Sequence, residues 1–127
     1  MIILDYRDRR PIYEQIVERF QELMMSGGLE QDAQLPSVRS LAMDLSINPN
    51  TIQRAYAELE RKGYIYSVKG KGSFVADNSA LKDSRRQAVL QKQEETALAA
   101  AGLGIERETL KDVIDKIYGR GGKSDGQ

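Results

Sequence analysis

The stretch from Leu35 to Val75 constrains this chain more than any other. Val38, Leu41, Ala42 and Leu45 keep helical spacing, Ser46-Ile47-Asn48 breaks it, and Ile52, Ala55, Tyr56 and Leu59 resume it. With residues placed every 100° from Asn50, the last four fall between about 140° and 240°, which makes one buried stripe. Asn50, Gln53, Arg54 and Ala57 fall within about 60° of the opposite pole. That outer face is small, polar and cationic, and such side chains hydrogen-bond base edges and phosphates. Two short helices around a tight turn, the second bearing this face, point to duplex DNA.

The helix ends are legible. Asn48 is a good N-cap, and Pro49 suits the first helical position, where a missing N–H costs nothing. Gly63 closes the second helix after Arg61-Lys62, cations that complement its C-terminal end. Pro36 and Ser37 open the first helix, with Arg39 in its first turn. Beyond Gly63, Tyr64–Val68 is β-prone, Lys69-Gly70-Lys71-Gly72 is a turn and Ser73–Ala76 returns. The two glycines permit positive φ and close approach to a phosphate backbone, while the two lysines add charge. Because the tip is exposed, Gly72→Val is expected to lower DNA binding with little change in stability.

Nineteen basic and nineteen acidic residues cancel over the 127 residues, so bulk charge says nothing about nucleic acid. The distribution does. Residues 39–75 carry six cations against three carboxylates, whereas residues 5–32 carry four against seven. The positive end therefore coincides with the candidate binding face. Zero cysteines exclude disulfides and thiolate metal sites, and zero histidines remove the commonest metal ligand and general base. No cofactor, metal or catalytic residue is expected. Asp112 and Asp115 lie three apart on a helical segment and read as a solvated face. No apolar run reaches membrane-spanning length and no signal peptide is legible, so the expected setting is the cytoplasm.

Before the motif, Ile2-Ile3-Leu4 is expected to pair as a strand or pack on the domain. A helix starting at Pro11 carries Ile12, Ile16, Phe20, Leu23 and Met24 and ends at Ser26-Gly27-Gly28; Leu29–Gln34 reads as a loop. After Asp77-Asn78-Ser79, residues 80–101 are rich in good helix formers and free of Gly and Pro. Gly102 and Gly104 interrupt. Leu110, Val113, Ile114 and Ile117 then form a strong amphipathic stripe within residues 106–118. Residues 119–127 are polar and Gly-rich and are expected to be disordered. The fold class is α+β and mainly helical: a winged helix-turn-helix domain over 9–77, a C-terminal helical pair over 78–118, and a tail.

The pieces "PIYEQIVERFQELMMSGGL", "LPSVRSLAMDLSINPNTIQRAYAELERKGYI" and "KGKGSFV" resemble, in order and spacing, the winged helix-turn-helix domain of the GntR family of bacterial transcription regulators. Within it, "NPNTIQRAYAELE" and the short C-terminal part resemble the small YtrA-type subgroup. The resemblance implies a DNA-binding regulator, with repression the expected direction, and contributes most of the case for dimerisation. Many relatives carry Arg where Pro49 and Gln53 stand, so contacts through those arginines do not carry over.

The expected DNA-contacting residues are Arg39, Asn50, Thr51, Gln53 and Arg54, with Lys69, Gly70, Lys71 and Gly72 in the wing. Each has a plainer reading. Arg39 can pair with Asp44 or Glu58, Arg54 can pair with Glu58 four residues on, Asn50 and Thr51 can extend the cap, and the lysines can be solvated turn charges. Tyr56, Tyr64 and Tyr66 are expected to pack. Leu110, Val113, Ile114 and Ile117 are expected to dimerise the chain, the alternative being an intramolecular hairpin. An operator duplex and a second copy are thus the expected partners; no small-molecule effector is identified. The rival class is a winged-helix protein-interaction module without specific DNA binding. An enzyme is weaker still, since the remainder after the winged domain offers no pocket-sized domain.

Overall fold

The computed structural model describes residues 2–122. Its elements are α1 (Ile12–Ser26), α2 (Val38–Leu45), α3 (Pro49–Arg61), β1 (Ile65–Val68), β2 (Gly72–Val75), α4 (Ser79–Gly102) and α5 (Arg107–Gly122). They fall into two units, Met1–Lys82 and Asp83–Gln127, divided within α4. The first unit extends beyond the 9–77 drawn from sequence, because Ile2 is buried in its core and Leu81 packs against that core.

In the first unit, α1 and α2 both pack against α3. Ile16, Phe20 and Met24 from α1 meet Leu41 and Ala42 from α2 and the whole Ile52-Ala55-Tyr56-Leu59 stripe of α3. Phe20 and Tyr56 meet edge to face, with ring centroids 5.8 Å apart. Tyr56 satisfies its hydroxyl by donating to the Pro36 carbonyl at 2.7 Å. Burial pushes that phenol well above its ordinary range. Ile2-Ile3-Leu4 forms no strand; Ile2 is buried in the core and Leu4 packs against it, while Ile3 is exposed. Gln15 holds it there, accepting from the Asp5 N–H at 3.1 Å and donating to the Arg10 carbonyl at 3.3 Å, although its side chain is almost fully buried.

The helix ends follow from local chemistry. Ser37 Oγ accepts from the Ser40 N–H at 3.0 Å, and Asn48 Oδ1 accepts from the Asn50 N–H at 2.8 Å with Pro49 at the first position of α3. Between the two helices Ser46 takes the left-handed conformation, φ 55°, and lets the Ile47 N–H reach the Ala42 carbonyl. At the end of α3 the Tyr64 N–H reaches back to the Leu59 carbonyl and the Gly63 N–H to Glu60, with Gly63 at φ 86°.

β1 and β2 pair antiparallel, Ile65 opposite Val75 and Val68 opposite Gly72. The segment before α2 is more than a loop. Gln34 bridges Phe74, the Leu35 N–H donates to the Ser73 carbonyl at 2.9 Å, and the Val75 N–H donates to Ala33 at 2.9 Å. The wing is thus bound along one edge to the entry of α2.

In the second unit, α4 ends at Gly102, Ala100 is buried, and the Ile105 N–H returns to the Ala100 carbonyl at 3.0 Å before α5 begins. α5 runs on to Gly122, so residues 119–122 are helical where the sequence pointed to a disordered tail. The reason is that glycine only lowers helix propensity by about 1 kcal/mol and does not forbid the conformation. Residues 123–127, the rest of that tail, lie outside the described residues.

Candidate nucleic-acid interface

The outer face of α3 is open along its length: Asn50, Gln53, Arg54 and Ala57 are all exposed, while Thr51 is half-buried. This follows from packing, since the opposite stripe is consumed by α1 and α2. Asn48 occupies the Asn50 N–H and leaves the Asn50 side chain in solvent. Arg39 projects from the first turn of α2 and is exposed. Among the described residues it forms no ion pair with Asp44, Glu58 or any other carboxylate.

Glu58 decides how the local charge is distributed. Arg61 Nη2 lies 2.6 Å and Lys62 Nζ 3.7 Å from its Oε2, and these cations hold its carboxyl below the usual carboxylate range. Glu60 accepts from the Ser67 hydroxyl at 2.9 Å. Of the six cations between residues 39 and 75, Arg61 and Lys62 are therefore spent on Glu58. Arg39, Arg54, Lys69 and Lys71 have no ion pair among the described residues. The pairing of Arg54 with Glu58, open on spacing alone, does not form. The Arg54 guanidinium instead lies 3.9 Å over the ring of Tyr13 in α1.

The wing tip is a turn closed by the Lys71 N–H donating to the Val68 carbonyl at 2.9 Å, with Gly70 at φ 79° and Gly72 at φ 122°. Lys69 and Lys71 are exposed on it. Gln34 Nε2 donates to the Lys71 carbonyl at 2.8 Å, and a Cβ on Gly72 would lie 2.8 Å from that same nitrogen. Gly72 therefore serves the attachment of the wing as well as its surface, and a substitution there cannot leave stability untouched. Tyr66 stacks on Phe74 at 5.6 Å and donates to Asp32 Oδ1 at 2.8 Å, a bond that raises its pKa. Gln34 and Tyr13 went unnoticed in the sequence. Their partners lie 37 and 41 residues away along the chain, and no spacing rule connects them.

In the second unit, Val113, Ile114 and Ile117 are exposed by 56%, 40% and 52%, and Leu110 is half-buried. Among the described residues no helix is long and apolar enough to cross a membrane.

A helix-turn-helix followed by a two-stranded wing defines the winged helix-turn-helix class, and exposed cations lie on both parts here. Residues 12–75 match the family model of bacterial regulatory proteins, gntR family, and the chain belongs to that family. It is similar to the HTH-type transcriptional repressor YtrA of Bacillus subtilis (strain 168), 36% identical over 127 residues, covering 97% of this chain and 98% of that protein. A GntR family transcriptional regulator from Listeria monocytogenes matches 89% of this chain and 98% of its own at 35% identity, with a TM-score of 0.67. The DNA-binding domain of AraR, solved in complex with operator ORE1, matches 60% of this chain and 93% of its own at 29% identity, with a TM-score of 0.52.

Proposed function

We propose that this protein is a sequence-specific DNA-binding repressor that recognises an inverted-repeat operator as a homodimer. The observation that carries the reading is the selective sparing of charge. Arg61 and Lys62 are paired with Glu58, while Arg39, Arg54, Lys69 and Lys71, around the polar face of α3, form no ion pair among the described residues. In this reading α3 enters the major groove and presents Asn50, Thr51, Gln53 and Arg54 to base edges and their flanking phosphates. Arg39 and the Lys69–Gly72 tip anchor the backbone or the adjacent minor groove. The operator complex of AraR and the repressor YtrA, both similar to this chain, support it. Binding at a promoter would repress by excluding polymerase.

The exposed stripe of α5 supports the dimer. An amphipathic helix with Val113, Ile114 and Ile117 this open needs a cover, and a second copy supplies one with matching chemistry. Two copies related by a two-fold axis would set their α3 helices against half-sites about one helical turn apart. Selection of bound fragments from a random duplex pool tests the reading. An enriched inverted repeat with that spacing is expected; recovery of no motif above background would overturn it.

A further inference from the structure

Arg54 has a carboxylate one turn along its own helix and does not use it. Glu58 is engaged by Arg61 and Lys62, and the Arg54 guanidinium is stacked 3.9 Å over Tyr13. A ring face attracts the cation without offering it an oxygen acceptor, so the contact commits none of its five N–H donors to a conventional hydrogen bond. None of them forms a hydrogen bond among the described residues. Arg10 shows the contrast. Its donors are spent on Asp8 and Glu18, at 2.7 to 3.2 Å, as expected of an arginine that braces the fold. Tyr13, half-buried at the first turn of α1, therefore restrains a charge without consuming its hydrogen-bonding capacity. It also holds that charge on the side of the α3 face next to α1.

Resting on the DNA-binding reading, we infer that Tyr13 is a positioning residue that fixes the Arg54 guanidinium toward a backbone phosphate at the wall of the major groove. A long side chain held in advance loses less conformational freedom on binding. Its contact is with the sugar-phosphate chain, so it contributes affinity and register without base preference.

The full-length protein is compared with Tyr13→Leu, Tyr13→Phe, Arg54→Ala and the double variant Tyr13→Leu/Arg54→Ala. Affinity is read by fluorescence anisotropy on the selected operator and on unrelated duplex over a series of salt concentrations, with thermal melting recorded for each variant. Tyr13→Leu is expected to weaken both duplexes alike by about two- to tenfold, the size of a cation–π restraint. It should also lower the log–log salt slope toward that of Arg54→Ala, which loses about one unit. Tyr13→Phe keeps the ring face and should bind as wild type. In the Arg54→Ala background Tyr13→Leu should have no further effect, whatever it does to the melting temperature. Wild-type binding by Tyr13→Leu, an undiminished loss in the Arg54→Ala background, or a changed base preference would each overturn the inference. Failure of the wild-type protein to bind any duplex would instead remove the DNA-binding reading beneath it, and that result precedes any variant.

Discussion

Arg39 and Gln53 occupy the same surface with different chemistry, and their difference is measurable. Arg39 is an exposed cation at the edge of α2 with no ion pair among the described residues, whereas Gln53 carries no charge and projects from the outer face of α3. Arg39→Ala should weaken specific and non-specific duplexes alike and reduce the salt slope by about one unit. Gln53→Ala should leave the salt slope in place and change base preference, losing about 1–3 kcal/mol if a bidentate contact to adenine is removed. A panel of single-base operator variants titrated at two salt concentrations separates the two; identical profiles would remove the assignment. Gly72 behaves otherwise, because its φ of 122° lies where side chains are strained and its missing Cβ makes room for the Gln34 amide. Gly72→Val should destabilise the fold by about 1–3 kcal/mol and also weaken DNA binding, since the Gln34 bond to the Lys71 carbonyl is displaced. Denaturant unfolding beside a binding titration gives both numbers.

The turn between α2 and α3 is short because Ser46 accepts a left-handed conformation that most side chains avoid. The bond from the Ile47 N–H to the Ala42 carbonyl depends on it. Ser46→Gly should relieve the strain and raise stability by about 0.5–1 kcal/mol, seen as a higher melting temperature with DNA affinity unchanged. A lower melting temperature would show that the serine contributes more to the turn than its backbone strain costs. The wing depends on its third edge as well. β1 and β2 alone make a two-stranded ribbon, and such ribbons are marginal in water. The backbone bonds from Ala33 and Leu35 to β2, with the Gln34 clamp, hold it against the helical core.

For the whole molecule, the charge pattern limits the working pH. Asp8 and Glu18 are held below the usual carboxylate range by Arg10, and Glu58 by Arg61 and Lys62. Their folded-state pKa values lie below the unfolded ones, so what they contribute is present above the unfolded carboxylate values and is lost as pH falls through the folded ones. Tyr56 works in the opposite sense. Burial raises its pKa, so its contribution is complete below about pH 10 and is lost as pH rises beyond that, when ionisation also breaks its bond to Pro36. With no histidine or cysteine in the chain, melting temperature should be flat between about pH 6 and 9 and fall on both sides. A transition centred near pH 6.5 would contradict this. The proposed dimer is tested at the same scale by Ile114→Glu, which places a charge in the α5 stripe. It should give a monomer by sedimentation and lower affinity for the full operator by about 10²–10⁴ while leaving half-site affinity nearly unchanged. A wild-type chain that is monomeric at micromolar concentration would end the dimer reading.

Periodicity and capping were enough to write most of this fold from the residues alone. The stripes of α1, α2 and α3, the Asn48-Pro49 start, the Gly63 stop and the glycines of the wing are local properties, set within a few residues by helix geometry and backbone sterics. The exposure of Asn50, Gln53 and Arg54 was legible for the same reason, since burying one face of a helix leaves the other in water. Everything that depended on choosing among partners was not. Spacing offered Glu58 to Arg54, and only the packed α1–α3 pair brought Tyr13 to it while Arg61 and Lys62 claimed the carboxylate. Spacing also made residues 29–34 a loop, and only the folded chain set Gln34 against the wing. Local signals report the energy of a residue against its own helix or turn. A side chain with several partners of similar energy takes whichever the tertiary structure brings into reach.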